Sequence, residues 1–170
     1  GSAAVNPLYM ICYTYNDSRL GATMESYLKG YDDPRLDIWF AKSEVSEFKE
    51  YNGIRCGSIF NGNDYKVFSN LNISSSTPIQ FMNAAEVYFL RAEAALRGWN
   101  AGEDAGALYE KGIMTAFSQP LGGTQSKAGD ASVYMKGTTL PKGYVDPKNP
   151  SYSDNGTGQV SVNWADATDF

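Results

Sequence analysis

The sequence contains no histidine and only two cysteines, Cys12 and Cys56, in 170 residues. Histidine is the commonest general base and a frequent metal ligand. Its absence excludes a Ser-His-Asp triad, a Cys-His pair and most zinc or copper chemistry built from this chain alone. Two cysteines so far apart are too few for a metal knuckle or a disulfide framework. They predict either two buried thiols or a single bridge.

Positive charge and long apolar runs are also scarce. Fourteen lysines and arginines against 19 aspartates and glutamates give a net charge of -5. Without a basic cluster, nucleic acids and anionic membrane surfaces are not expected partners. No apolar run approaches the roughly 18 residues of a membrane span, and the first ten residues lack the features of a signal peptide. We therefore expect any targeting segment or membrane anchor to lie outside this stretch.

Glycine, proline and tyrosine are abundant, with 17, seven and 12 copies respectively. This composition is typical of a protein rich in loops and aromatic side chains. The hydrophobic content of 42% is nevertheless enough to bury one sizeable core. Length and composition together predict a single domain.

Sustained helical periodicity is confined to the stretch from Pro78 to Pro120. Apolar and small residues recur there at spacings of three and four, which predicts a helix from Pro78, capped by Thr77 or Ser76 and stopped by Gly98. The residues on that face are Phe81, Ala84, Ala85, Tyr88, Ala92, Ala95 and Leu96. A second helix is predicted from Ala105 to Ser118, with one buried face made of Leu108, Tyr109, Gly112, Ile113 and Phe117. Two antiparallel helices over residues 78–119, with small residues between them, match a tetratricopeptide-type hairpin.

Two shorter helices are predicted before this hairpin. One spans Arg19 to Lys29 with Asp17 or Ser18 as its cap, and its Leu20, Thr23 or Met24, Tyr27 and Leu28 fall on one face. The other is capped by Asp33, which precedes a proline at the first helical position, and runs towards Phe40. Arg35 in that second helix could contact a ligand or pair with Asp32, Asp37 or another nearby acid.

The remaining segments carry weaker signals. The Asn61-Gly62-Asn63-Asp64 turn predicts a connection between two short strands. Residues 120–170 contain no convincing periodic element over about fifty residues, and loops of that length are usually functional, disordered or packed against something larger.

Candidate catalytic and metal-binding groups are few. Glu86 and Glu93 lie seven residues apart on one helix face, as a hydrolase carboxylate pair could, but Arg91 and Arg97 offer the alternative of ordinary ion pairs. The pair Asp32 and Asp33, like the Asp154 turn, lacks the alternating oxygen ligands of a calcium loop. We therefore expect no catalytic residue, metal or cofactor.

Aromatic side chains are the better candidates for ligand contact. Tyrosine and tryptophan combine an apolar face with a polar edge, which suits stacking on a sugar ring and hydrogen bonding to its hydroxyls. Those within helical registers are expected in the core. The candidate ligand-binding residues are those outside a clear register: Trp39, Tyr134, Tyr144, Tyr152 and Trp164.

Four motifs in order carry a resemblance to a known family. They are Asp33-Pro34-Arg35-Leu36, then YNGI at residues 51–54 followed by Gly57, then Pro78-Ile79 leading into AEVYFLRAEAALRGW at residues 85–99, and finally LYEKGI at residues 108–113. Together they resemble the SusD/RagB-like nutrient-binding outer-membrane lipoproteins. The long string at residues 85–99 is the most specific of the four.

The resemblance implies a mainly α fold with a tetratricopeptide-type hairpin, long irregular loops and few short strands. It implies a protein that is lipid-anchored at the bacterial outer surface, is not an enzyme, and captures glycans or other nutrients for a SusC-like TonB-dependent transporter. Family members are much longer, so residues 1–170 are expected to be a single truncated portion with a hairpin at 78–119 and a loop-rich segment at 120–170. The signal peptide and the lipid-bearing cysteine would lie elsewhere, so Cys12 is not the lipidation site. A helical-repeat scaffold for protein partners and a glycoside hydrolase fragment are the alternative functions.

Overall fold

The computed structural model describes residues 4–120, 126–156 and 158–167. Six α-helices are formed there: α1 (Pro7–Tyr9), α2 (Ala22–Gly30), α3 (Leu36–Trp39), α4 (Ala84–Leu96), α5 (Ala105–Ser118) and α6 (Ala131–Tyr134). A π-helical turn, Met10–Thr14, continues α1, and 3-10 turns cover Ser46–Phe48, Asp64–Val67, Ala128–Asp130, Pro150–Tyr152 and Trp164–Asp166. Strand pairing in the described residues consists of isolated bridges at Gly21–Ile54, Phe40–Leu71 and Tyr144–Asp154. The prediction of a mainly α fold is confirmed.

Helices α4 and α5 form an antiparallel hairpin. Asp104 caps α5, because its side chain accepts a hydrogen bond from the Ala107 amide at 3.0 Å. Gly98 ends α4 with a φ of 78°, a left-handed conformation that glycine adopts without strain. Between the helices, a Cβ at Gly112 would lie 2.6 Å from Phe89 Cε1, so only glycine permits this approach. Helix α5 has the predicted bounds, Ala105 to Ser118, so that prediction is confirmed.

The start of α4 differs from the prediction. The helix begins at Ala84 rather than Pro78, and Asn83 is its cap, with its side-chain oxygen 2.8 Å from the Ala85 amide. Thr77 instead closes a turn with Ser74, whose amide lies 2.9 Å from the threonine hydroxyl. Phe81 is 90% exposed and does not belong to the buried face. An asparagine cap directly before the alanine run decides where the helix starts.

Helix α2 also begins later than predicted, at Ala22 with Gly21 as its N-cap, rather than at Arg19. The chain before it is extended because Leu20 bonds on both sides: its amide donates to Ser69 O at 2.8 Å, and its carbonyl accepts from the Ile54 amide at 2.7 Å. These long-range hydrogen bonds replace the first turn of the predicted helix.

Two further predictions before the hairpin are corrected. Helix α3 has Arg35 as its N-cap, although Asp33 Oδ1 still accepts a hydrogen bond from the Arg35 amide at 2.9 Å. The Asn61-Gly62-Asn63-Asp64 turn leads into the 3-10 turn Asp64–Val67 and joins no pair of strands. Hydrogen bonds from Asp64 N to Asn61 O and from Lys66 N to Asn63 O tighten the chain into that turn.

Two clusters of buried apolar side chains are present among the described residues. The first cluster consists of Leu20, Leu28 and Phe40, with Leu36, Trp39, Tyr51 and Leu71 packed against it. The hairpin cluster consists of Ile113, Phe117 and Ala131, with Tyr109, Tyr134 and Met135 packed against it. The first cluster therefore belongs to the N-terminal part of the chain, and the second joins α5 to α6.

Arg35 connects the two clusters. Its guanidinium carbon lies 4.6 Å from the Trp39 ring centroid, 4.2 Å from that of Phe117 and 5.5 Å from that of Tyr134. Asp33, whose side chain is 2% exposed, accepts hydrogen bonds from Arg35 Nε at 2.9 Å and from Nη2 at 2.5 Å. A planar guanidinium can stack on rings while it pairs with a carboxylate. The prediction that Arg35 pairs with a neighbouring acid is thus confirmed.

The two cysteines differ in environment. Cys12 is 1% exposed, whereas Cys56 is exposed beside Gly57, whose φ is 83°. Both thiols are free, so the prediction of two buried thiols or one bridge is wrong for Cys56. No helix among the described residues is long and apolar enough to cross a membrane.

Candidate functional site

The five candidate aromatics do not surround a single site. Trp39 packs against the first cluster, and Tyr134 packs against the hairpin cluster. Tyr144 and Tyr152 line one cleft, and Trp164 lies 5.5 Å from Tyr109, measured between ring centroids. At most two of the five can therefore contact the same small ligand.

Tyr134 is partly buried against the hairpin cluster. Its ring centroid is 4.8 Å from that of Phe117 and lies beside Arg35. Burial raises the pKa of its hydroxyl, and the negative charge of Asp33 raises that pKa further. The ring contributes to packing between α5 and α6.

The tyrosine cleft is a depression of about 260 Å³ between α2 and the segment from Pro141 to Gly158. Aromatic rings, two hydroxyl side chains and one charge of each sign meet there. The lining residues are Ala22, Thr23, Ser26, Tyr27, Arg55, Pro141, Tyr144, Tyr152, Asp154, Gly156 and Gly158. A sugar ring requires this combination, because its CH groups pack on aromatic surfaces while its hydroxyls need hydrogen-bond partners.

Tyr144 forms a fixed wall of the tyrosine cleft. It is 6% exposed, and its hydroxyl lies 2.7 Å from Gly53 O and 2.8 Å from Asp146 Oδ2. Burial raises the pKa of this hydroxyl, and its hydrogen bond with Asp146 and the charge of Asp146 raise it further. A distant carbonyl thus anchors this side chain although no helical register does.

Tyr152 is the more accessible of the two tyrosines. It ends the 3-10 turn Pro150–Tyr152 and is partly exposed. Its ring contacts Phe60 edge to face, with 5.7 Å between the ring centroids. Contact with a second ring restricts its rotation, which lowers the entropy lost when a ligand stacks on it.

Helix α2 supplies the opposite side of the tyrosine cleft. Thr23, Ser26 and Tyr27 lie three and four residues apart and share one face of the helix. Ser26 fastens this face to the far side of the cleft, since its hydroxyl donates to Lys142 O and its carbonyl accepts from the Lys142 amide at 3.1 Å.

Among the residues that line the tyrosine cleft, sequence reasoning named only Tyr144 and Tyr152 as candidates. Tyr27 was not among the candidates, although it is 43% exposed. Arg55 is exposed at the edge of the cleft. The spacing of Thr23, Ser26 and Tyr27 was a usable signal for a polar helix face. Nothing local to Arg55 indicated that it meets α2.

Two of the larger depressions are mainly apolar. The Trp39 groove has a volume of about 450 Å³ and is lined by Asn6, Leu8, Met24, Ile38, Trp39, Phe40, Leu71, Asn72, Ile73, Thr77, Pro78, Ile79, Gln80 and Pro120. The Trp164 groove has a volume of about 340 Å³ and is lined by Phe89, Ala92, Glu93, Leu96, Tyr109, Val160, Ser161, Asn163, Trp164 and Ala167. Polar groups make up a smaller share of the lining in these two grooves than in the tyrosine cleft. The grooves therefore offer a hydroxyl-rich ligand fewer hydrogen-bond partners for the same apolar surface.

One member of the candidate carboxylate pair takes part in an ordinary ion pair. Glu93 Oε1 accepts hydrogen bonds from Arg97 at 2.6 and 2.9 Å in an exposed ion pair, as the alternative interpretation predicted. Seven residues along a helix correspond to a rise of about 10.5 Å between the backbone positions of Glu86 and Glu93, and both side chains line one shallow depression. Among the described residues, no group of three or more metal-ligating side chains could hold a metal ion.

A comparison with protein families gives one match over the whole chain. Residues 1–170 match the SusD-like family, described as Susd and RagB outer membrane lipoprotein. A comparison with curated proteins gives no match.

Solved structures of similar proteins agree with this result. A chitin-binding SusD homologue from Flavobacterium johnsoniae is 37% identical with a TM-score of 0.83, and the alignment covers 99% of this chain and 34% of that one. A SusD homologue from Bacteroides vulgatus is 35% identical with a TM-score of 0.84, again over 99% and 34%. One from Bacteroides thetaiotaomicron is 35% identical with a TM-score of 0.82, over 95% and 33%. The chain thus spans about a third of the length of these structures.

Proposed function

The chain belongs to the SusD and RagB family of outer membrane lipoproteins, and from that membership we propose that it is part of a protein that captures saccharides. Residues 1–170 contribute a binding surface to that protein. The relative from Flavobacterium johnsoniae, described as chitin-binding, supports a glycan ligand and makes chitin oligosaccharides the first probe to use.

The composition of the tyrosine cleft is the observation that supports a saccharide site within these residues. Tyr152 offers a partly exposed ring, and Tyr27 stands opposite it on α2. Thr23, Arg55 and Asp154 supply hydrogen-bonding groups of different kinds around those rings. A neutral sugar can use all of them, since its hydroxyls both donate and accept.

Trp39 and Trp164 are assigned a different place in this proposal. Each lies in an apolar groove outside the tyrosine cleft, so each would contact protein or a separate part of a long ligand. Tyr134 and Tyr144 would affect binding only through packing, because both are held by buried contacts.

The complete protein would hold its ligand at the bacterial outer surface and pass it to a SusC-like TonB-dependent transporter. A lipid anchor outside these residues would supply the membrane attachment. Binding without turnover is the activity expected of such a protein.

Calorimetric titration of the complete protein with chitin oligosaccharides, and with a panel of other neutral oligosaccharides, tests the proposal. Tyr152→Ala should weaken binding of a responsive saccharide by about 1–3 kcal/mol, the size measured for aromatic stacking on nucleic-acid bases. Tyr15→Ala is the matched control, because Tyr15 is 61% exposed and does not line the tyrosine cleft.

The results separate the alternatives. Equal weakening by both variants would argue against the tyrosine cleft, and wild-type protein that binds no saccharide would contradict the function. Hydrolysis products in the titrated sample, lost on Glu86→Gln or Glu93→Gln, would favour a glycoside hydrolase. A stable protein partner together with no saccharide signal would favour a scaffold.

A further inference from the structure

Residues 144–154 form a closed loop, the return loop, on one side of the tyrosine cleft. Its two ends are joined by a pair of backbone hydrogen bonds: Tyr144 N donates to Asp154 O at 2.7 Å, and Asp154 N donates to Tyr144 O at 2.9 Å. Tyr152 lies within this loop, near its second end. The position of the Tyr152 ring therefore depends on how the interior of the return loop is held.

Asp146 lies at the centre of the return loop and is 3% exposed. Its Oδ1 accepts hydrogen bonds from the amides of Lys148 at 2.9 Å and Asn149 at 2.8 Å. Its own amide donates to Ser153 Oγ at 3.0 Å. Asp146 is thus bonded to Lys148 and Asn149, which lead into the 3-10 turn, and to Ser153, which follows Tyr152.

The second carboxylate oxygen of Asp146 connects the return loop to the rest of the cleft. Oδ2 lies 2.8 Å from the Tyr144 hydroxyl, which also lies 2.7 Å from Gly53 O. The Gly53 amide in turn donates to Glu25 on α2, the helix that carries Tyr27. Polar contacts therefore connect Asp146 to α2 through the Tyr144 hydroxyl and Gly53, and the single proton of that hydroxyl lies between two acceptors, Asp146 Oδ2 and Gly53 O.

Further contacts hold the 3-10 turn against the body of the protein. Asn149 Oδ1 accepts from the Ser151 amide at 3.1 Å and from its hydroxyl at 2.7 Å. Lys148 Nζ pairs with Asp64 Oδ1 at 2.9 Å on the surface. These contacts fix the turn at several points. Of the two aspartates that hold it, Asp146 is buried and Asp64 is partly exposed.

We propose that Asp146 is the positioning residue of the saccharide site: it does not contact the saccharide, and it sets the place of Tyr152 relative to Tyr144 and α2. This inference rests on the proposed function of the tyrosine cleft. The Asp146 carboxylate is turned into the loop, where its Oδ1 accepts from two backbone amides.

Asparagine and alanine at position 146 separate this role from general structural support. Asparagine retains an oxygen that accepts from Lys148 N and Asn149 N, and its NH2 can donate to the Tyr144 hydroxyl while that hydroxyl donates to Gly53 O. Alanine leaves both amides and the hydroxyl without that partner. Rescue by asparagine would therefore assign the effect to the hydrogen bonds.

The experiment measures saccharide affinity of the complete protein by calorimetry, with the saccharide that the wild type binds most tightly from the chitin oligosaccharide and neutral panel. Asp146→Ala should weaken binding at least about fivefold, as Tyr152→Ala does, whereas Asp146→Asn should stay within about twofold of wild type. The double variant Asp146→Ala/Tyr152→Ala should bind no more weakly than Tyr152→Ala alone, because residues that act as a unit are not additive. Asp104→Ala is the control: it removes a capping carboxylate from α5, away from the cleft.

A second measurement does not depend on the ligand. Hydrogen exchange followed by mass spectrometry should show faster exchange over residues 147–153 in Asp146→Ala and near wild-type exchange in Asp146→Asn. If the wild type binds no saccharide, the proposed function fails and this exchange pattern alone decides whether Asp146 holds the loop.

Three results would overturn the inference. They are wild-type affinity in Asp146→Ala, equal loss in the alanine and asparagine variants, and a double variant whose loss is the product of the two single losses. Unchanged exchange over residues 147–153 in Asp146→Ala would overturn it independently of any saccharide.

Discussion

The α4–α5 hairpin and the return loop reach defined conformations by different means. In the hairpin, most backbone groups are satisfied within the helices, and Gly112 lets the two helices approach each other. In the return loop, side-chain oxygens of Asp146 and Asn149 accept from backbone amides, and one pair of backbone bonds closes the ends. The hairpin depends on a repeating pattern, whereas the loop depends on a few polar residues.

This difference indicates where each region is vulnerable. A hairpin built on periodic packing loses stability when a buried side chain is shortened, and it tolerates change on its exposed face. A loop built on side-chain hydrogen bonds should tolerate changes of size and lose its conformation when one oxygen is removed. Arg35 and Asp33 lie between the two apolar clusters and combine both kinds of contact.

The largest effect is expected in the hairpin cluster. Phe117→Ala should lower the free energy of unfolding by about 3–5 kcal/mol, because Phe117 is 0% exposed and supports the Arg35 guanidinium. Met114→Ala on the same helix is the control, since Met114 is 57% exposed and should cost under about 1 kcal/mol. Urea denaturation measures both. Similar losses in the two variants would show that the hairpin is not stabilised by this cluster.

A somewhat smaller effect is expected at the junction of the clusters. Asp33→Asn should lower the free energy of unfolding by about 3 kcal/mol, because it leaves the Arg35 charge without its buried partner while the aromatic contacts remain. Glu93→Gln breaks an exposed pair with Arg97 and should cost under about 0.5 kcal/mol. Thermal or urea unfolding that ranks the two variants in the opposite order would contradict the connecting role of Arg35.

The smallest effect is expected for a hydroxyl of the return loop at alkaline pH. Since the folded pKa of Tyr144 is raised, its contribution to stability is fully present below the unfolded pKa near 10 and is lost as pH rises towards the folded pKa. Wild-type stability should therefore fall above about pH 10, and Tyr144→Phe should flatten that fall by up to about 1.4 kcal/mol per pH unit. Urea denaturation at several pH values between about 9 and 11 measures the slopes. Parallel slopes in the two proteins would place the Tyr144 hydroxyl in water.

The sequence predicted the hairpin well because helix formation there follows local rules. The local signals act within a few residues of one another. They are the pattern from Ala105 to Ser118, Asp104 before it, and Gly98 at the end of α4. The start of α4 was placed too early because Thr77 before a proline and Asn83 before an alanine run are both acceptable caps. Which of them acts depends on the path of residues 78–83, and that path is not a local property.

The candidate site was less predictable for the same physical reason. Tyr144 and Tyr152 were named as aromatics without a helical register, but the burial of Tyr144 is determined by Gly53, which is far away in the sequence. Arg55 and Tyr27 line the same cleft because Ile54 bonds to the chain that enters α2. The tyrosine cleft is formed by contacts between segments that are far apart in the sequence. Neither the spacing of residues in the sequence nor their type predicts such contacts.

The unequal exposure of the two cysteines has a practical consequence for fluorescence work. Cys12 is enclosed, and burial raises the pKa of its thiol, so little reactive thiolate forms there. Cys56 is exposed and adjoins Arg55 at the tyrosine cleft. Within these residues, a maleimide dye should therefore attach selectively to Cys56 and report on ligand entry without an introduced cysteine.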